Sequence, residues 1–584
     1  MSAEKLITDH IDIWTSAIQA KSASGRGSSK KRELYGIKKL RELILELAVR
    51  GKLVPQDPSD EPASVLLERI SDERTRLIAE GKIKKSKIFS FVTEQEQVFE
   101  VPSSWCWLKL GSIGYDHGQK KPDCSFTYID VGAINKEMGL IESAEILEAE
   151  AAPSRARKLV KEGTVIYSTI RPYLLNIAVV DRTIFPEPIA STAFAIIHPF
   201  EGILSSFVYR YLRSPSFVSY VESVQTGMAY PAINDKQFFS GVIPIPPTEE
   251  QRRIVAKVDE LMALCDQLEQ QTEASLDAHQ VLVETLLATL TNSQDATEMM
   301  ANWERISEHF DTLFTTEQSI DQLKQTILQL AVMGKLVPQD PNDEPAAKLL
   351  ERIAEEKAQL VKEKKIKKQK ALPAITEDEK PFELPNGWVW ARIFDASLFS
   401  EYGSSEKTVT ELPDGVPVLK MGDIQAGKVI LGEHQVVSAQ IEDLPNLYLK
   451  FGDVLYNRTN SAELVGKTGM FKGEDDVYTF ASYLIRIRCS FNNVMPEYLS
   501  LSMNTPLFRK TQIEPHIKQQ CGQANVNGTL MKHMLVSVPP VREQARLMAK
   551  TKELLSFCDQ LKQRLRDSQQ TQLQLTDAIV EQAL

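Results

Sequence analysis

LAVRGKLVPQDPSDEPASVLLERI, running from Leu47 to Ile70, returns as LAVMGKLVPQDPNDEPAAKLLERI from Leu330 to Ile353 with only four positions changed. So long a match is a duplication, and the chain has to be read as two copies of one plan. The same register carries the preceding helical pattern, where Ile37, Leu40 and Ile44 match Ile320, Leu323 and Ile327. It continues through the lysine-rich GKIKKSK and KKIKKQK to a shared Phe-Glu-x-Pro-x-x-Trp-x-Trp element, with Phe99, Pro102, Trp105 and Trp107 matched by Phe382, Pro385, Trp388 and Trp390.

A second anchor closes each copy: PIPPTEEQRRIVAKVDELMALCDQL in the first and SVPPVREQARLMAKTKELLSFCDQL in the second. Each is a strand end, a Pro-Pro stop and a long helix. Ile254, Val258, Leu261, Cys265 and Leu268 alternate steps of four and three, as do Leu547, Thr551, Leu554, Cys558 and Leu561, and such spacing makes a coiled-coil seam. Between the anchors the middles, about 103–245 and 386–538, match only in fragments such as KEGTVIY against KFGDVLY. Within them TVIYST, AFAIIHP, DVLYNR and YLIRIRC read as strands, and SSFVYRYLRSPSFVSYVES as helix. The fold class is therefore α+β: mixed α/β middles on helical arms. The polar breaks at 25–31 and 292–297 read as joints.

At 584 residues the chain exceeds a single core, and 42% hydrophobic with 25% charged residues is the balance of a folded, water-soluble protein. The start, MSAEKLITDH, lacks the basic and apolar parts of a signal peptide, and no run approaches the roughly 18 apolar residues of a membrane span. Cys106, Cys124, Cys265, Cys489, Cys521 and Cys558 lie far apart without a C-x-x-C, against a zinc site or disulfide framework and in favour of a reducing cytoplasm. A net charge of −11 opposes nucleic-acid binding unless the acid is segregated. It is: 251–300 holds nine acidic and three basic residues on a helical pattern.

Two near matches to a phosphate loop fail. Gly422-Asp-Ile-Gln-Ala-Gly427-Lys428 is followed by Val429 where a magnesium-binding hydroxyl is required, and Ser461 stands where the segment ending Gly466-Lys467-Thr468 needs glycine. The Asn/Asp-Pro-Pro-aromatic tetrapeptide of amino-methyltransferases is absent, and eight scattered histidines offer no metal-ligand spacing. Neither a catalytic centre nor a metal site is expected. What the middles do carry is base-edge chemistry: Tyr167-Ser168-Thr169-Ile170-Arg171-Pro172-Tyr173 leaves a strand in the first copy, and Tyr456-Asn457-Arg458-Thr459-Asn460 in the second. Arg can pair bidentately with guanine and Asn or Gln with adenine. An amide-rich group, Gln519, Gln520, Gln523, Asn525 and Asn527, is set against Gln225, Asn234 and Gln237. Lys120, Lys121, Arg155, Arg157 and Lys158 are candidates for phosphate contact, as are the clusters Lys82, Lys84, Lys85, Lys87 and Lys364, Lys365, Lys367, Lys368, Lys370.

The duplicated L-A-V-x-G-K-L-V-P-Q-D-P segment and the Pro-Pro-x-x-E-Q helix starts at Pro246 and Pro539 give the chain its resemblance to the type I restriction-modification specificity subunits, over nearly its full length. The resemblance implies a helical arm at 1–102, a first target-recognition domain at 103–247, a central helical region at 248–385, a second such domain at 386–540 and a final arm at 541–584. The arms would be long antiparallel coiled coils related by a pseudo-twofold axis. It implies a non-catalytic subunit that reads a bipartite, asymmetric duplex DNA site. Through seam residues such as Leu261, Leu268, Leu554 and Leu561 it would dock two modification subunits, with two restriction subunits joining them. S-adenosylmethionine, ATP and Mg would belong to those partners, with no cofactor in this chain. Nearly identical arms carrying unlike middles argue separately for two copies of one partner and two different ligands. A nucleic-acid enzyme with a dispersed active site and a coiled-coil scaffold are the alternatives.

Overall fold

The duplicated segment does the same structural work twice. In the computed structural model, which describes residues 3–20, 32–83, 92–294, 296–520 and 523–584, helix Tyr35–Val49 ends at Gly51 and helix Glu317–Val332 at Gly334, both with φ of 70°. A Cβ at these glycines would lie 2.6 Å from the Pro102 ring and 2.5 Å from that of Pro385. The chain then passes through the Pro-Gln-Asp-Pro turn into helix Ala63–Ala79 or Ala346–Lys362. Behind the turn lies a buried polar clamp. Trp105 Nε1 donates to Glu250 at 3.0 Å, and Trp388 Nε1 to Glu543 at 3.0 Å. Arg253 meets Asp60 at 2.6 Å, and Arg546 meets Asp343 at 2.7 Å. Gln251 and Gln544 each donate 3.0 Å back to Pro246 and Pro539. Burial pushes the Glu250 and Glu543 carboxyls above the usual range, while the Trp donors and those of Gln56 and Gln339 pull the other way. The Pro-Pro-x-x-E-Q helix start is thus a joint between middle and arm.

The chain divides into two compact units, 1–275 with 568–584, and 276–567. In the first, strand Cys106–Lys109 pairs antiparallel with Val242–Ile245 and closes the middle. One four-stranded sheet runs in the order Ile177–Val179, Val165–Ser168, Phe194–Pro199, Gly114–Tyr115. A second runs Glu145–Leu147, Phe126–Ile129, Pro188–Ser191, Ala156–Leu159, with Phe126–Ile129 parallel to Pro188–Ser191. The stretch expected as one helical piece is two, Ser205–Leu212 and Pro215–Val224, because Ser214 caps a new helix that Pro215 begins.

In the second unit Val389–Arg392 pairs with Leu535–Val538 in the same closing role. Its main sheet has six strands, in the order Phe399–Tyr402, Leu484–Arg488, Val454–Asn457, Thr468–Met470, Lys428–Val429, Ile424–Gln425. The near match to a phosphate loop at Gly422 is the tight hairpin joining the last two of these, with Ala426 and Gly427 at positive φ.

The arms are helices Thr248–Asn292 and Val541–Ala583. Their seam is buried, with Ile254, Val258, Leu261, Cys265, Leu547, Thr551 and Cys558 at no more than 1% exposure. In the second unit Leu554, Cys558 and Leu561 pack with Val283, Leu287, Ile320, Leu323 and Ile327. This corrects the expectation that Leu261, Leu268, Leu554 and Leu561 meet an outside partner. An apolar seam at this spacing is consumed by the chain's own helices, with Leu268 half-buried. In the first unit Tyr35 donates 2.7 Å to Asp577, so the end of the last helix joins the N-terminal arm. The break expected at 25–31 lies outside the described residues, as does position 295 of the second. No described helix is long and apolar enough to cross a membrane.

Candidate nucleic-acid interface

Strand Val165–Ser168 and strand Val454–Asn457 occupy matching places, and each runs out into a loop braced by a segment that arrives much later in the chain. In the first unit Ile170 bridges Ala232, Arg171 N donates 2.8 Å to Pro231 O, and Ile233 N donates 2.9 Å to Thr169 O. In the second, Thr459 pairs with Asn525, Asn460 with Ala524, and Val526 N donates 2.9 Å to Arg458 O. These pairings put Thr169, Ile170 and Ala232 where the other copy has Arg458, Thr459 and Asn525. Two groups found separately in the sequence, the strand exit and the amide-rich segment, are therefore one surface in the second unit.

On that surface Arg458 donates through Nε to Ser482 O at 2.7 Å, and its guanidinium sits 5.2 Å from the Tyr402 ring centroid. Tyr402 and Tyr483 are each 45% exposed, an aromatic frame that the sequence reading missed. Asn525 is exposed, and Thr459 and Asn460 are half-exposed, with Asn460 accepting from Ser461 N at 2.8 Å. Gln519, Gln520 and Gln523 lie on the hairpin Lys518–Gln520 and Gln523–Asn525 by their backbone pairing. Their side chains, like Cys521, lie outside what is described. In the first unit Arg171 is exposed at φ 49°, its guanidinium 4.9 Å from the Tyr230 ring, with Tyr173 51% exposed alongside.

Several candidates are corrected. Asn457 is 1% exposed within its strand, so its amide faces the interior. Ser168 and Thr169 are buried, and their hydroxyls are spent on Ile170 O and Ala193 O, both at 2.9 Å. Lys158 is buried, bonded to Phe194 O and to Asp235 at 3.1 Å. Asn234 and Gln237 form a helix capping box in which each side-chain oxygen accepts from the other's backbone N–H at 2.9 Å, and Gln237 Nε2 donates to Val224 O at 2.6 Å. Lys120, Lys121, Arg155 and Arg157 are brought together, since Lys120 N bonds Arg157 O at 2.9 Å. Lys121 and Arg155 are exposed, and Arg157 donates 2.8 Å to Ala156 O. Lys120, however, already holds Glu187 at 2.8 Å and Asp123 at 2.9 Å, and those two carboxylates raise its pKa. Lys84, Lys85 and Lys87 lie outside the described residues; Lys82 pairs with Glu80, and Lys365 with Glu363. Lys364, Lys367, Lys368 and Lys370 are exposed. Among the described residues no group of three or more His, Cys, Asp or Glu is placed to hold a metal.

Comparison with known proteins finds a family model, the type I restriction modification DNA specificity domain, matching residues 118–278. The specificity subunit of the type I restriction enzyme EcoEI of Escherichia coli is 42% identical over 596 residues, covering 100% of both chains. That of EcoAI, also from Escherichia coli, is 42% identical over 598 residues with the same coverage. Among solved structures, the HsdS subunit of Thermoanaerobacter tengcongensis aligns with a TM-score of 0.43 at 22% identity, over 84% of this chain and 98% of that one.

Proposed function

The chain belongs to the type I restriction-modification specificity subunits, and from that membership we propose that it reads a split, asymmetric DNA site, one middle to each half. As such a subunit it supplies DNA sequence specificity to a complex and is not itself the catalyst. One observation carries the division of labour: the clamps that seat the two middles repeat the same contacts residue for residue, while the loops those middles present differ in chemistry. Identical seats imply one frame used twice, and unlike loops imply two different half-sites. Arg171, Arg458, Thr459, Asn460 and Asn525 are the base-reading candidates, with Gln519, Gln520 and Gln523 beside them. Lys121 and Arg155 are the better phosphate contacts, because Lys120 is already neutralised.

Two modification subunits and two restriction subunits complete the proposed assembly, with S-adenosylmethionine, ATP and Mg on them and the whole in the cytoplasm. The duplicated arms support the pairing. The matching residues just before the two CDQL segments are exposed, Leu264 at 43% and Phe557 at 47%, one apolar contact per arm for one partner per arm. The test of the loop assignment is a pair of variants in the assembled complex. Arg458→Ala is expected to cost about 1 to 3 kcal/mol of discrimination at one base pair, whereas Lys120→Ala leaves both affinity and salt dependence nearly unchanged. Equal losses on all sequences for Arg458→Ala would overturn its role as a reader.

A further inference from the structure

The segment that braces the first reading loop is itself a hairpin, and its tip is the most exposed apolar feature of that middle. Thr226 and Ala232 exchange two backbone hydrogen bonds of 2.9 Å, so the turn between them is closed. Gly227 sits at φ 93°, and a Cβ there would lie 2.8 Å from Tyr230 O. The far strand is fixed to Ile170, to Arg171 and, through Ile233, to Thr169. On this hydrogen-bonded base Met228 is fully exposed at 102% and Tyr230 is 68% exposed, and on the loop that the hairpin braces, Ile170 and Tyr173 are exposed as well. A braced turn that holds large apolar side chains out in water is a recognition element, because folding alone would bury them or leave the turn loose. The matching hairpin of the second unit, Lys518–Gln520 with Gln523–Asn525, carries amides instead.

We propose that the Met228–Tyr230 tip is a wedge that enters a base step in the first half of the DNA site. Met228 presses against the opened step and Tyr230 stacks on the exposed base face. Arg171, whose cation lies over the same tyrosine ring, meets the adjacent strand. Apolar side chains inserted in this way unstack a step and kink the duplex, and flexible pyrimidine–purine steps deform most cheaply. The first half is then read partly through deformability and the second mainly through amide and guanidinium hydrogen bonds. Duplex DNA is the occupant because the tip is continuous with the Arg171 loop, whose cation lies over the Tyr230 ring. This inference rests on the reading above that the loop faces DNA.

The experiment uses the complex of the full chain with its modification subunit and a duplex bearing the motif recovered from methylated genomic DNA. 2-Aminopurine is scanned through the first half, and end-to-end fluorescence transfer reports bending. The wild type is expected to brighten one step and shorten the end-to-end distance. Met228→Ala and Tyr230→Ala should each remove at least half of the brightening and weaken site binding about tenfold, with nonspecific binding unchanged. Gly227→Ala, which disturbs the turn and keeps both side chains, should do the same, and unchanged circular dichroism and assembly mass show that the variants fold. Unaltered bending and brightening with wild-type affinity would overturn the wedge. So would variants that lose assembly with the modification subunit while the DNA signal stays, since the tip would then dock protein. If Arg171→Ala and Arg458→Ala also leave discrimination untouched, the loop reading itself fails; if they lower it while the tip variants do not, only the wedge fails.

Discussion

Replacing Asp453 with alanine is expected to lower the stability of the second unit by about 3 to 5 kcal/mol, the cost of removing one partner from a buried ion pair. The carboxylate is 1% exposed and takes two bonds from Arg488, at 2.7 and 2.6 Å, and one from Lys450 N at 2.9 Å. Arg486, 2% exposed, lies 3.8 Å from it, between Phe399 and Phe480 at 5.5 Å each. Its guanidinium also donates to Tyr448 O at 2.7 Å and Asn446 O at 2.8 Å, and it pairs with Glu401. Burial lowers the Arg486 pKa while Asp453 and Glu401 raise it, and because a guanidinium stays charged, removing the Asp453 carboxylate leaves buried positive charge uncompensated. Asp453 directly precedes strand Val454–Asn457, and the proposed reading loop is the exit of that strand. Thermal melting of the full chain should show one transition falling by about 10 °C, given roughly 2 to 4 °C per kcal/mol in units of this size. Asp453→Asn keeps the shape and should lose less. A fall of under about 2 °C for the alanine variant would contradict the account.

Exchanging residues 386–538 for the matching middle of a relative is expected to rewrite one half of the methylated motif and leave the other half unchanged. The structure explains why such a graft can fold: its two ends are already joined by the pairing of Val389–Arg392 with Leu535–Val538. The donor must keep a tryptophan in the place of Trp388, whose indole reaches Glu543 outside the exchanged segment. Specific sites are typically bound about 10³-fold or more tighter than nonspecific DNA, so methylation at the old half-site should fall by that order. Sequencing of methylated adenines reads the result directly. A change in both halves would mean that the middles do not read independently.

The duplication was legible because it is nearly exact, and so were the strands, whose runs of Val, Ile and Tyr are bounded by Gly, Pro and Asn. What a strand residue faces was not. Val165–Ser168 and Val454–Asn457 are buried along their whole length, so no alternation distinguishes inward from outward positions. Ser168, Thr169 and Asn457 therefore passed for readers. The 226–232 hairpin was missed for another reason. Gly-Met-Ala-Tyr-Pro carries no base-edge chemistry, and only a pairing across some sixty residues of chain sets it beside Arg171. An apolar seam likewise states that a face is buried without stating by what, and here the cover is the chain itself. Lys120 passed for a phosphate contact because one of its two carboxylate partners, Glu187, is remote in sequence, and the other, Asp123, sits in a loop whose geometry is not legible in the sequence.

Two unlike middles on one repeated frame are proposed to give a bipartite specificity that other subunits act on. The most direct test is single-molecule sequencing of methylated adenines in cells that make the chain with its modification subunit, beside cells that make either alone. The account predicts one split, non-palindromic motif with a fixed unread spacer, present only when both are made. A continuous or palindromic motif, or methylation from the chain alone, would contradict it.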